Sequence, residues 1–418
     1  MMLLLAASLC RGLSGVRPIV AETLVSMLNA GLTPVVPSLG SVGASGDLAP
    51  LAHIGLCLIG EGTVQTKDGK TAGSGEGMRQ AGIAPVVLEA KEGLAIINGT
   101  HLMAARGALL CHDLQTLASA ATVAAAMSID ASRGTDTFLD ARVHVARCQP
   151  GQIEVAAQIR EHLSGSQILE SHRVDDPRVQ DPYSLRCTPQ VLGACRDAIL
   201  YVRRCIESEL GAVTDNPLVF RTSDEHAPTA NPSSECSGSS VVSAGNFHGM
   251  PLAIPLDAAT IAIAHIAGIS ERRTFWMLSA FDAESHLRPY LSPAPGLNSG
   301  LMIAQYTAAA LCNEIIGLAT PASVANIGTS AGIEDYNSFG PRAAAKAARA
   351  LDLARHVIAI ELICAAQGIE SHRPLRSGPG VERAHAIVRS VVPALQDDRS
   401  PSPDIQAVAA LIEAARFG

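Results

Sequence analysis

With 418 residues, 48% of them hydrophobic but only 3% aromatic, the chain must build its core chiefly from Ala, Leu, Ile and Val, which suits closely packed helices. The length admits two or three domains or one large helical unit. A formal charge of -8 without any Lys/Arg cluster argues against nucleic acid as a partner.

The opening "MMLLLAASLC" lacks a positive leading region and meets Arg11 before any cleavage pattern, so it reads as a buried helix and not a signal peptide. Next comes "GSVGASGDLAPLAH", residues 40–53, whose plain reading is Ser45 capping the helix "DLAPLAHIGLCLIGEG". "TVQTKDGKTAG" predicts a surface hairpin turning at Asp68 and Gly69. "TPQVLGACRDAILYVRRCIESELG" predicts a helix from a capping Thr188, followed by Pro189, to Gly211. "LDAATIAIAHIAGISERR" is a second apolar helix. "NSFGPRAAAKAARALDLARHVIAIELICAAQG" is a third, capped by Asn337 or Ser338, with Pro341 in its first turn and Gly368 as its stop. Residues 225–240 and 373–380 are Pro/Ser/Gly-rich and read as loops.

No membrane span is expected, because the alanine-rich runs carry Arg, Asp, Glu or His at short intervals. Ten cysteines without a CxxC pair, the closest being Cys187, Cys195 and Cys205, encode neither a zinc ribbon nor a redox motif. Reduced thiols in the cytoplasm are the corresponding expectation. His248 lacks a metal-ligand partner at any standard spacing and reads as a structural histidine.

The run Gly43-Ala44-Ser45-Gly46-Asp47 carries the sharpest chemistry. A nucleophile elbow needs Gly where Asp47 stands, and a Walker loop needs a Gly-Lys-Ser/Thr that is absent. Gly46 leaves its backbone nitrogen sterically open and lets the chain bend tightly, which is what an approach to the Ala44 carbonyl requires. Cyclisation with dehydration of Ser45 would generate a methylidene-imidazolone, an electrophile made from the chain itself.

The stretch containing this run resembles the signature of the aromatic amino acid ammonia-lyases, the family of histidine, phenylalanine and tyrosine ammonia-lyases and related aminomutases. The resemblance continues in order through "KEGLAIINGTHLM", "VQDPYSLRCTPQVLG", "TDNPLVF", "SAGNFHGMPLA", "ISERR", "LNSGLMIAQYTAAAL", "TPASVANIGTSAGIEDYNS" and "AIELICAAQGIESHRPL". It implies an all-α fold of the ammonia-lyase/fumarase-like superfamily. Residues 1–418 would form one lyase unit: an elongated bundle of long central helices over 96–418 and a smaller loop-rich part over 1–95 carrying the prosthetic group.

By resemblance, Ala44, Ser45 and Gly46 cyclise to the methylidene-imidazolone, with Asp47 assisting. Asn98 hydrogen-bonds the electrophile. Arg186 clamps the substrate carboxylate bidentately. Tyr183 stands near the reacting amine, Gln180 lines the same pocket, and Asn246 lies close to the prosthetic group. No metal or nucleotide is implied. Family members are homotetramers whose active sites combine residues of different subunits, so assembly with further copies of the chain is expected.

Glu334 bears on the substrate. An acidic residue here resembles histidine ammonia-lyases, in which it hydrogen-bonds an imidazole, whereas phenylalanine ammonia-lyases typically carry glutamine. A carboxylate would be costly beside a plain phenyl ring. Against this, Leu301 replaces a phenylalanine general in histidine enzymes and Thr188 replaces a common glutamine, which leaves a tyrosine or phenylalanine lyase or an aminomutase open. Family members also have a domain-sized segment upstream of "SGVRP" that supplies a tyrosine base. This chain enters the pattern only at its first residues, so an N-terminally truncated, catalytically impaired lyase is expected, with an inactive helical assembly subunit as the rival.

Overall fold

The computed structural model describes residues 1–221 and 239–418. In chain order the described residues form helices α1 (Met2–Leu9), α2 (Pro18–Ala30), α3 (Leu48–Leu58), α4 (Ser74–Gln80), α5 (Glu92–Ile97), α6 (His101–Ala131), α7 (Ala141–Arg147) and α8 (Pro150–Leu163). The series continues with α9 (Gln167–Glu170), α10 (Tyr183–Arg186), α11 (Thr188–Glu209), α12 (Met250–Ser279), α13 (Met302–Leu318), α14 (Gly340–Glu370), α15 (Pro379–Arg389) and α16 (Ser402–Glu413). Strands are short: β1 (Thr33–Pro34), β2 (Thr63–Gln65) and β3 (Thr71–Gly73) form one antiparallel sheet, and β4 (Leu218–Arg221) pairs with β5 (Ser239–Val242) in another. The all-α reading therefore holds.

The chain divides into two compact units. The first comprises Met1–Leu109, Arg203–Asp257 and Pro321–Ala345. Its N-terminal part is built around one core to which α1 to α5 and β2 all contribute. Leu5, Leu24, Met27, Leu51, Leu58, Val64, Met78 and Ile96 are all fully buried in it. At ~1.5–3 kcal/mol for each large apolar side chain removed from water, this cluster is what holds the start of α3, and with it the loop before α3, in place. The opening apolar run is a buried helix, as its sequence indicates. The hairpin at Asp68 and Gly69 also forms, with Val64 paired to Ala72. It is more than a surface feature, since β1 adds a third strand and Val64 is part of the core.

The second unit comprises Leu110–Val202, Ala258–Thr320 and Lys346–Gly418. Val357, Ile358, Ala359 and Ile360 are all fully buried, so α14 is enclosed on every face there, as its continuous apolar run demands. Two expectations are corrected in these helices, and a third is qualified. Gly368 does not stop α14, which continues to Glu370; a side chain there would press its Cβ to 3.0 Å from that of Ala131, so this glycine serves close helix packing. Thr188 begins α11 but caps nothing, because its hydroxyl donates to the Ser184 carbonyl at 2.8 Å. And α12 is, by length and composition, apolar enough to cross a membrane, although 67% of its most apolar window is buried inside the protein, as in a core helix.

Most of the loop expected over 225–240 lies outside the described residues, but Ser239 and Ser240 belong to β5. Residues 373–378 are irregular, and α15 begins at Pro379. The cysteines among the described residues are free thiols.

Candidate active site

Within the first unit, the loop preceding α3 is stitched to the starts of three other helices. The Gly43 carbonyl accepts from the Gly249 N–H at 3.3 Å, just before α12, and from the Ser338 hydroxyl at 2.9 Å, just before α14. The Phe339 N–H donates to the Val42 carbonyl at 2.9 Å. The Asp47 carboxylate accepts from the N–H groups of Leu102 (2.9 Å) and Met103 (3.1 Å), in the first turn of α6. Helix N-termini carry unpaired N–H groups and the positive end of the helix dipole. The loop over 43–47 thus lies where α6, α12 and α14 begin, and α3 starts one residue beyond it.

Asp47 is fully buried. Burial pushes its carboxyl up to about 6, against the opposing pull of the Met103 N–H, the Ser41 hydroxyl, the Leu102 N–H and the Arg106 charge. It remains largely ionised at neutral pH while being a far better proton acceptor than an ordinary aspartate.

Gly46 has φ +73°, and a Cβ there would lie 2.2 Å from the Gly99 carbonyl oxygen. The two glycines form an isolated parallel bridge, closed by the Asp47 N–H donating to Gly99 O at 2.6 Å. Neither position admits a side chain: Gly99 has φ +144° and faces His101 and Thr214. Beside the bridge, Asn98 is buried, and its side-chain oxygen has no partner among the described residues. Rotating that amide would present its NH2 at the same place. A tight, side-chain-free backbone turn with buried Ala44 on one side and an unsatisfied amide on the other fits a group formed from residues 44–46.

Ser45 corrects the capping expectation. The helix starts at Leu48, and the Ser45 hydroxyl instead donates to Glu334 Oε1 at 2.7 Å. Thr329 holds the other carboxylate oxygen at 2.9 Å through its hydroxyl, inside a short antiparallel bridge between Thr329 and Glu334. Asn246 is exposed and donates to the Val213 carbonyl at 3.3 Å. His248 is structural as expected, its Nε2 2.9 Å from the Tyr336 carbonyl and its ring stacked on Tyr336. Ser41, Gly99 and Thr329 were not anticipated, and Ser338 was expected only as a helix cap. Gly99 alone carried a signal, standing next to Asn98.

Gln180, Tyr183 and Arg186 belong to the second unit. Gln180 and Arg186 line a cleft of about 450 Å3 together with Thr135, Phe138, Arg178 and Gln190. Arg178 is neutralised by Asp176 (2.6 Å) and Asp282 (3.2 Å). Arg186 differs: it donates to the neutral Gln180 amide oxygen at 2.9 Å and pairs with no carboxylate among the described residues. Its guanidinium is therefore the cation in this cleft available to an incoming anion. Tyr183 is 67% exposed. Leu301 is not among the cleft's lining residues; it is buried just before α13, its N–H donating to the Tyr290 carbonyl at 2.9 Å. No cluster of His, Cys, Asp and Glu among the described residues could hold a metal ion.

A helical scaffold with a backbone turn seated at helix N-termini defines a class of carbon–nitrogen lyase. The chain belongs to the aromatic amino acid lyase family, which it matches over residues 1–390. It is 48% identical over 417 residues to a histidine ammonia-lyase of Koribacter versatilis (strain Ellin345), covering 100% of this chain and 80% of that protein. Among solved structures, the histidine ammonia-lyase of Trypanosoma cruzi superposes with a TM-score of 0.88 at 38% identity, covering 100% of this chain and 76% of that one. A tyrosine aminomutase from Streptomyces globisporus also superposes with a TM-score of 0.88, at 33% identity, covering 100% and 79% respectively.

Proposed function

We propose that this chain, acting over 1–418 as one lyase unit, eliminates ammonia from L-histidine to give trans-urocanate, using a methylidene-imidazolone formed from Ala44, Ser45 and Gly46. The observation that carries the choice of histidine is the Glu334 carboxylate, held by Thr329 and seated on Ser45. An imidazole N–H can donate to that carboxylate in a charge-assisted contact, whereas a phenyl ring offers it no donor. The names of the relatives above support the same reading.

When formed, the prosthetic group supplies an electrophile for the substrate amine. The chain's own residues form that group and hold the substrate. Asp47, with its raised proton affinity, takes up a proton as the Gly46 nitrogen closes on Ala44. Asn98 turns its amide to hold negative charge, and the converging helix N-termini add to that stabilisation. Arg186 binds the substrate carboxylate through its fork, Gln180 orients that fork, Tyr183 stands near the reacting amine, and Asn246 lies close to the prosthetic group. Leu301 bears on the fit of the ring.

The reading extends to a homotetramer with shared active sites in the cytoplasm. Support comes from α13, which leaves Ile303, Tyr306 and Ile316 at least half exposed, and from free thiols throughout the described residues. The test is to incubate the protein with L-histidine, L-tyrosine and L-phenylalanine and monitor urocanate, coumarate and cinnamate. Urocanate is expected; coumarate or cinnamate alone would overturn the choice of histidine. Intact mass is expected to be two waters below that of the encoded chain.

A further inference from the structure

Two sequence blocks that have no role in the reading above, "ISERR" and "AIELICAAQG", meet inside the second unit. Arg273 of the first and Glu361 of the second are both fully buried. Glu361 receives Arg273 Nε at 2.5 Å and Nη2 at 2.9 Å, a bidentate pair, and accepts a third bond from the Ser128 hydroxyl at 2.7 Å. Two charges taken wholly out of water in this way add little net stability, yet each becomes costly to leave without the other. What the arrangement fixes is set by the remaining guanidinium nitrogen. Nη1 reaches the Ser184 carbonyl at 3.4 Å and the Thr188 hydroxyl at 3.3 Å, while that hydroxyl itself donates to Ser184 O at 2.8 Å.

Ser184 lies inside α10, the single turn that carries Tyr183 and Arg186. Four residues cannot hold a helical geometry by themselves, since a first turn fixes several dihedrals for one hydrogen bond. The internal bonds of α10, Arg186 N–H to Pro182 O at 3.0 Å and Cys187 N–H to Tyr183 O at 2.8 Å, need external support. Arg273 and Thr188 supply it at the Ser184 carbonyl, between the two functional side chains. We propose that Arg273, locked by Glu361, and Thr188 are positioning residues that hold α10 so that Arg186 presents its fork to the substrate carboxylate. The proposal rests on the carboxylate role of Arg186.

The experiment uses the full chain with urocanate as the probe. Thr188→Val removes the hydroxyl at nearly constant volume, Thr188→Ser restores it, and Glu361→Gln relaxes the hold on Arg273. Hydrogen exchange of the 185–187 amides should quicken about tenfold in Thr188→Val, and the calorimetric Kd for urocanate should weaken about 3- to 10-fold, as expected for one lost hydrogen bond. Thr188→Ser should return both to the wild-type values, and Glu361→Gln should move both in the direction of Thr188→Val. In an Arg186→Ala background, Thr188→Val should change Kd no further. Unchanged exchange in Thr188→Val, or the same loss of affinity with and without Arg186, would overturn the proposal. An Arg186→Ala protein that binds urocanate as well as wild type would instead overturn the carboxylate reading and the proposal with it, and exchange data cannot rescue either.

Discussion

Replacing Gly46 by Ala probes the turn at its narrowest point. An L-residue at φ +73° costs roughly 1–2 kcal/mol in the left-handed region. The added Cβ would stand 2.2 Å from the Gly99 carbonyl oxygen, far inside van der Waals contact, so the bridge must open. Opening it breaks the bond from Asp47 N–H to Gly99 O, for a further ~0.5–1.5 kcal/mol. The expected loss is therefore about 1.5–3.5 kcal/mol of unfolding free energy. The functional effect is larger, because a displacement on the order of 1 Å between reacting atoms costs about a hundredfold in rate. Urea unfolding reads the first quantity and intact mass the second: Gly46→Ala should be destabilised and should keep the two waters that the wild type loses. A Gly46→Ala protein within ~0.5 kcal/mol of wild type and lighter by two waters would refute the argument that this turn is built for cyclisation.

Three other perturbations test neighbouring steps. Asp47→Asn keeps the shape but removes the proton acceptor, so mass spectrometry should show cyclisation slowed; in the wild type cyclisation should slow as pH falls through about 6. Glu334→Gln should lower the preference for histidine over phenylalanine by about 10- to 150-fold in kcat/KM, the equivalent of one charged hydrogen bond. Asp130 is fully buried with the Ser166 hydroxyl at 2.8 Å, and burial pushes its carboxyl from the ordinary 3.8 up to about 7. The folded state thus holds this proton more tightly than the unfolded chain, so its contribution to stability is full at low pH and declines as pH rises from about 4 to about 7. Asp130→Asn should flatten that slope in urea titrations across the same window, by up to ~4 kcal/mol.

The long helices were legible because their signals are local: apolar runs, a proline in a first turn, a small residue before it. Pro341 and Ser338 do open α14, where the Ser338 hydroxyl accepts from the Gly340 N–H at 3.2 Å. Gly368 misleads because a glycine inside a helix and one at its end look alike in sequence, and only the nearness of Ala131 tells them apart. Strands β4 and β5 were missed because each is four residues long and no short turn joins it to its partner, which lies beyond residues 222–238.

The site shows the same division at finer scale. Cyclisation concerns three consecutive residues, so its requirements, a small residue, a serine and a glycine, can be read in a single glance along the chain. What the serine does before it reacts cannot, because its partner Glu334 is 289 positions away. Asp47 reads as a flanking acid until the start of α6, 55 residues on, is seen to donate two N–H groups to it. Arg186 is one of many arginines by composition; resemblance in "YSLRC" singles it out, and the structure adds that it lacks the carboxylates that Arg178 has. Local covalent chemistry is written in order along a chain, whereas the charges and dipoles that make it useful come from folding. The covalent requirements of the turn are therefore local in sequence, while the contacts that seat it are not.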